Sequence, residues 1–169
     1  DVKKTLYLLE AAKLANVKNF ISLGSYYQFS NLNSKFSPAN LYAATKQSIN
    51  TLSMHYSKNY KINFLQLIIF EIYGKKDKRN KIINSLVKLK TNSKFTINNP
   101  NNHFFPVYIS DLCDAIEVSI NYLSKSLRTV NKQFFLKPPK GFTVYELVNI
   151  ISRLKNINFT NINYFKQIK

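Results

Sequence analysis

The sequence predicts an α/β protein built on a doubly wound parallel sheet, and three observations carry that expectation. Two short runs, Asn19-Phe20-Ile21-Ser22-Leu23 and Ile62 to Phe70, are apolar on both alternating faces, as strands are when helices cover them on both sides. Segments with apolar residues at helical spacing precede and separate those runs, giving the order helix, strand, helix, strand. The first run ends in Gly24-Ser25, at the carboxyl edge where open sheets of this kind bind ligands.

Each element has its own signal. Thr5 to Ala15 reads as a helix with Leu6, Leu9 and Leu14 for an inner face. A second helix is predicted with Ser37 as its cap and Pro38 at the first helical position, where the missing N–H costs nothing. Leu41, Thr45, Ile49, Leu52 and Tyr56 follow along it at helical spacing. Beyond Gly74, Arg79 to Lys90 reads as a helix and Lys94 to Asn98 as a short strand, followed by the turn cluster Asn98 to Asn102. Phe104 to Ile109 reads as a strand despite Pro106, which suits an edge or a strand start. Asp111 to Leu123 is a predicted helix with Leu112, Ala115, Ile116 and Ile120 inward, and Gln133 to Leu136 a short strand. Pro138 to Gly141 breaks the chain, and Thr143-Val-Tyr-Glu146 is a capping box that opens a helix running to about Leu154. The tail after Asn156 is rich in Asn.

The chemistry-bearing pattern is Tyr42-Ala43-Ala44-Thr45-Lys46, a short way downstream of Ser25. Residues four apart share a helix face, so the phenol and the ammonium lie about one turn from each other. An ammonium held near a phenol favours phenolate, which is what a proton donor and acceptor at an alcohol or ketone carbon requires. Taken alone, the spacing also describes a surface Tyr and Lys on an ordinary amphipathic helix.

The surrounding segments give it context. Asp1 to Ala12 resembles a helix of the form N-x-x-G-T-x-x-L-L-E-A-A, and Phe20 to Ser25 a strand ending in a catalytic Ser or Thr. Ser37 to Lys46 is similar to S-P-x-x-x-Y-x-x-S-K, Phe70-Glu71-Ile72-Tyr73-Gly74 to F-N-x-Y-G, and Val107 to Asp111 to V-Y-V-x-D. Together and in this order, from Asp1 to about Leu147, they resemble the extended short-chain dehydrogenase/reductase family of nucleotide-sugar epimerases, dehydratases and reductases.

The resemblance implies a partial Rossmann-like cofactor domain over residues 1–73 and 104–136, with a substrate-binding lobe over 74–103 and 137–169. It implies NAD or NADP as cofactor, a nucleotide-activated sugar as substrate and a cytoplasmic enzyme of polysaccharide biosynthesis. It also implies a homodimer in which the Tyr42 helix is one contact element. By the same carry-over Tyr42 is the acid/base, Lys46 holds the nicotinamide ribose and Ser25 orients the substrate oxygen. Phe70 and Ile72 lie against the nicotinamide, and Tyr26, Lys75 and Arg79 are offered to the substrate.

Departures from the pattern narrow the reading. The chain has three glycines, Gly24, Gly74 and Gly141, and no two are close, so no Gly-rich pyrophosphate loop is present. Position 1 is Asp and falls inside a family helix, so the expectation is a carboxyl-terminal fragment of a longer enzyme, poor at holding dinucleotide by itself. Asp1 stands where the family often has an Asn of a proton relay. Tyr26 and Tyr27 follow Ser25 where the 4,6-dehydratases carry Asp-Glu, which disfavours dehydration and leaves 4-ketoreduction or epimerisation. Phe104-Phe105 replaces the Arg-Asp pair, leaving Lys75, Lys76 and Arg79 as phosphate partners.

Composition sets the outer bounds. An apolar fraction of 45% over 169 residues supports a packed core. No apolar run reaches about 18 residues, so no membrane span is expected. Cys113 is expected as a small buried hydrophobe, and His55 and His103 are too isolated for a metal site. The net charge of +17 raises a nucleic-acid-binding module as an alternative. However, only Arg79, Arg128 and Arg153 are arginine, and the lysines are spread along the whole chain, whereas nucleic-acid readers concentrate them on one face. A catalytically silent remnant of the same fold is the other alternative.

Overall fold

The computed structural model describes residues 2–29, 36–90 and 95–157, and the backbone of 162–165. In chain order the elements are α1 (Val2–Leu14), β1 (Asn19–Ser25), a 3₁₀ turn (Tyr26–Gln28), α2 (Leu41–Tyr60), β2 (Asn63–Ile69) and β3 (Glu71–Tyr73). They continue with α3 (Ile82–Lys88), β4 (Phe95–Asn98), β5 (His103–Phe104), β6 (Pro106–Tyr108), α4 (Ile109–Ser124), β7 (Asn131–Leu136), β8 (Phe142–Thr143), α5 (Val144–Lys155) and β9 (Ile162–Phe165). The chain forms two compact units, residues 1–70 with 110–137 and residues 71–109 with 138–169.

In the first unit β1, β2 and β7 form a parallel sheet in the order β1-β2-β7. The central strand β2 is buried along nearly its whole length, which its run of Phe64, Leu65, Leu67 and Ile68 requires. Its one polar interior residue, Gln66, pairs in register with Ser22 of β1 and Gln133 of β7. Leu9 and Ala12 of α1 cluster with Tyr56 of α2 and with Ile62, which follows that helix. Of the inner face expected for α1 only Leu9 is buried; Leu6 is on the margin and Leu14 is exposed.

Helix α2 begins later than predicted. Asn40 caps it, its Oδ1 accepting from the Ala43 N–H at 2.9 Å, rather than Ser37. The reason is upstream: the Ser37 N–H donates to the Gln28 carbonyl and the Ala39 N–H to the Tyr27 carbonyl, both at 3.0 Å. Those bonds tie residues 37–39 to the 3₁₀ turn and keep them out of the helix. The helix ends at Lys61, whose left-handed backbone closes it. In α4 Leu112, Ser119 and Leu123 are buried and Ala115 and Ile116 half-buried, so three of the four inner positions expected face inward. Ile120 is exposed, and so is Cys113, rather than being the buried hydrophobe predicted.

The second unit joins small sheets to two helices. Strands β3 and β6 pair in parallel, β5 and β8 antiparallel, and β4 and β9 in parallel. Ile83 and Leu86 of α3, Ile97 of β4 and Val144, Leu147, Val148 and Ile151 of α5 make its core. The predicted capping box at Thr143 is formed: its hydroxyl accepts from the Glu146 N–H at 3.1 Å while Glu146 accepts the Thr143 N–H at 2.7 Å. Helix α3 is shorter than Arg79–Lys90 because Asp77 and Asn84 hold the residues before it in a turn. Pro106 follows the break between β5 and β6, so the segment read as one strand is two. The sequence reading assigned residues 71–73 and 104–109 to the cofactor domain; in the structure β3 and β6 pair with each other and fall in the second unit.

Candidate active site

Strand β1 delivers Ser25 to the carboxyl edge of the parallel sheet, and the 3₁₀ turn begins directly after it. Ser25 is buried, and its hydroxyl accepts from the Tyr27 N–H at 3.4 Å. That hydroxyl donates to no acceptor among the described residues, so its own proton is available.

Tyr42 and Lys46 stand on consecutive turns of α2. The Lys46 ammonium donates to the Leu23 carbonyl of β1 at 3.0 Å and lies 5.7 Å from the centroid of the Tyr42 ring. The cation is thus bonded to the strand that ends in Ser25 and lies near the Tyr42 ring. Burial pushes the Lys46 ammonium below the ordinary lysine range, because desolvation disfavours its charged form. Its other two N–H groups have no acceptor among the described residues. The Tyr42 side chain is more than half exposed.

Phe70 is buried and stacked on Tyr26, with ring centroids 4.9 Å apart and planes 7° from parallel. Tyr26 in turn stacks on Tyr27 at 4.2 Å, so two of the residues offered to cofactor and substrate share one aromatic column. Ile72, Lys75 and Arg79 belong to the second unit. Ile72 is half-buried in β3, and Lys75 is exposed. Arg79 is engaged: it donates to both carboxylate oxygens of Asp77, at 2.8 and 2.7 Å, and to the Ile72 carbonyl at 3.1 Å. The guanidinium holds the Asp77 carboxyl well below the usual carboxylate range.

The sequence reading missed a set of buried glutamines behind this edge. Gln28 and Gln66 are fully buried. Gln28 accepts the Ser25 N–H at 2.8 Å and donates to Gln47 of α2 at 2.8 Å and to Gln66 at 3.4 Å. Gln133 donates to Gln66 at 2.7 Å, and Gln66 donates to the Lys46 carbonyl at 3.4 Å. The signal for it was Gln66, a polar residue inside an otherwise apolar strand, which must find partners when buried.

Among the described residues no group of His, Cys, Asp and Glu is gathered as a metal would need, and no helix is long and apolar enough to cross a membrane.

The parallel sheet thus carries a serine at its carboxyl edge, with the Tyr42–Lys46 helix bonded to the same strand. Residues 1–131 match the model of the NAD dependent epimerase/dehydratase family, and the chain belongs to that family. It is 28% identical over 161 residues to a CDP-abequose synthase from Yersinia pseudotuberculosis, covering 95% of this chain and 56% of that protein. A dTDP-glucose 4,6-dehydratase from Bacillus anthracis in complex with NAD superposes with a TM-score of 0.79 at 20% identity, covering 98% of this chain and 55% of that one. A UDP-glucuronic acid 4-epimerase from Bacillus cereus in complex with NAD gives 0.79 at 19% identity, covering 96% and 54%. The fold is therefore Rossmann-like, and the chain spans about half the length of these relatives.

The residues present fit one end of the dinucleotide that the family description names. Lys46 offers uncommitted donors beside a phenol at the sheet edge, the donor chemistry that ribose hydroxyls take. Nothing in these 169 residues supplies a glycine-rich cradle for its pyrophosphate.

Proposed function

We propose that this chain carries the acid/base machinery of an NAD(P)-dependent nucleotide-sugar oxidoreductase, a 4-ketoreductase or epimerase, with Tyr42, Lys46 and Ser25 in the working roles. The observation that supports it most is the Lys46 ammonium, bonded to the strand that ends in Ser25 and poised over the Tyr42 ring.

Tyr42 exchanges a proton with a sugar hydroxyl or its ketone through its exposed phenol oxygen. Lys46 lies beside that phenol and stabilises the phenolate form, and its free donors bind the ribose of the cofactor. Ser25, whose hydroxyl proton is uncommitted, donates to the same substrate oxygen and orients it. The nicotinamide, when bound, accepts or returns hydride at the sugar carbon. The pair Tyr26-Tyr27 places aromatic rings after Ser25, where protonation of a leaving hydroxyl would need a carboxyl group, and this favours reduction or epimerisation over dehydration. Tyr26 is the substrate contact in this reading, with Phe70 on the cofactor side.

The test is turnover by the full-length protein with NAD(H) and NADP(H) against CDP-, dTDP-, UDP- and GDP-linked hexoses and 4-ketohexoses. The name of the Yersinia relative makes CDP-linked sugars the first to assay. Cofactor-dependent conversion of one nucleotide-sugar class supports the reading. Failure to bind either cofactor overturns it in favour of a catalytically silent relative.

A further inference from the structure

The Ser25 hydroxyl and the Tyr42 phenol come from different elements, so acid/base chemistry at a shared substrate oxygen needs a physical tie between the end of β1 and α2. The buried amide of Gln28 supplies one. Its Oε1 accepts the Ser25 N–H at 2.8 Å, and its Nε2 donates to Gln47 Oε1 at 2.8 Å, one residue beyond Lys46. Two of the amide's three partners, Ser25 and Gln47, are thus identical with, or adjacent to, the residues assigned the chemistry; the third is Gln66 of β2 at 3.4 Å.

We propose that Gln28 is a positioning residue, which fixes Ser25 relative to the Tyr42–Lys46 helix through its bridge to Gln47. This rests on the acid/base reading given above.

Three features make the bridge stiff. Gln28 is wholly buried, so water does not compete for its amide. A Cβ added at Gly24 would come within 2.7 Å of Gln28 Oε1, so the backbone crowds the amide on that side. The turn is also held from outside, because the Gln28 and Tyr27 carbonyls accept the Ser37 and Ala39 N–H groups. Removing the bridge leaves the Ser25 N–H buried without an acceptor, and the turn must shift to solvate it. Misplacement by about 1 Å at a reacting group costs on the order of a hundredfold in rate.

The experiment is steady-state kinetics of the full-length protein carrying Gln28→Met, Gln47→Met or both, with the nucleotide-sugar that the wild type converts. Thermal melts first establish that each variant is folded. Methionine keeps the volume and removes the hydrogen bonds. The expected result is a fall in kcat on the order of a hundredfold for Gln28→Met, with KM for the cofactor unchanged. Gln47→Met falls in the same direction, and the double variant is no worse than Gln28→Met, because one tie is broken once. Wild-type kcat in a folded Gln28→Met protein, or losses that multiply in the double variant, would overturn the proposal. Should Gln28→Met not fold, wild-type kcat in Gln47→Met does so instead. Turnover that Tyr42→Phe abolishes and Gln28→Met leaves intact removes this inference alone. A wild type that neither binds cofactor nor turns over removes the acid/base reading and this inference with it.

Discussion

The Lys46 ammonium donates to the Leu23 carbonyl at 3.0 Å, which fastens the middle of α2 to the last residues of β1. A charged donor on a strand carbonyl is a strong bond, and it fixes the cation two residues from Ser25 and 5.7 Å from the centre of the Tyr42 ring.

If Tyr42 is the proton donor and acceptor, Tyr42→Phe in the full-length protein loses about 10²- to 10⁴-fold in kcat, the usual contribution of a positioned acid/base. Dissociation constants for NAD and NADP, read by fluorescence titration, stay within about twofold. Turnover retained in that variant would show that the phenol is not the acid/base.

The desolvated Lys46 makes stability depend on pH in a defined sense. Its ammonium is held below the ordinary lysine value in the folded state. Between that lowered value and about 10.5 the unfolded chain binds more protons, so stability rises with pH across that window. Comparing the wild type with Lys46→Met by urea unfolding at a series of pH values isolates the effect. The difference between them shifts in favour of the wild type as pH rises, and a difference independent of pH would count against the buried cation.

Tyr56 gives the opposite dependence. Burial, together with its bond to Glu10, pushes the phenol up to about 12. A raised folded value means that the stabilisation is complete below pH about 10 and is lost as pH rises toward 12. Tyr56→Phe is less stable than the wild type at neutral pH, because it lacks the bond from α2 to α1. The gap closes across that alkaline window, which unfolding titrations at pH 9 and pH 11.5 would show.

Gly24 has no room for a side chain. A Cβ there would lie 2.5 Å from Ile68 Cδ1 and 2.7 Å from Gln28 Oε1, and both neighbours are fully buried. Gly24→Ala is expected to destabilise the protein by about 1–3 kcal/mol, the usual cost of overpacking a filled interior. Denaturant unfolding that shows no loss would mean that the turn after β1 yields more readily than its bonds suggest.

How much of this was legible in the sequence differs by element. The strands at Phe20 and Phe64 were legible because unbroken apolar runs have few alternatives to a sheet covered on both faces. The Thr143 capping box was legible because its bonds are local. The start of α2 was not, since Ser37 and Pro38 carry a helix-opening pattern and long-range bonds to the 3₁₀ turn override it. The exposure of Cys113 was not either: it directly follows the buried Leu112, and successive residues on a helix point about 100° apart.

By itself, the sequence determined the parallel α/β class, the Tyr/Lys spacing on one helix face and the serine at the end of the first strand. Those follow from periodicities and dipeptide signals that act within a few residues. Only the tertiary structure decided that Lys46 reaches Leu23, that Arg79 is taken by Asp77, and that Gln28 joins Ser25 to Gln47. Each is a choice of hydrogen-bond partner, and a side chain chooses among partners by what folding brings within about 3 Å, which no local pattern encodes.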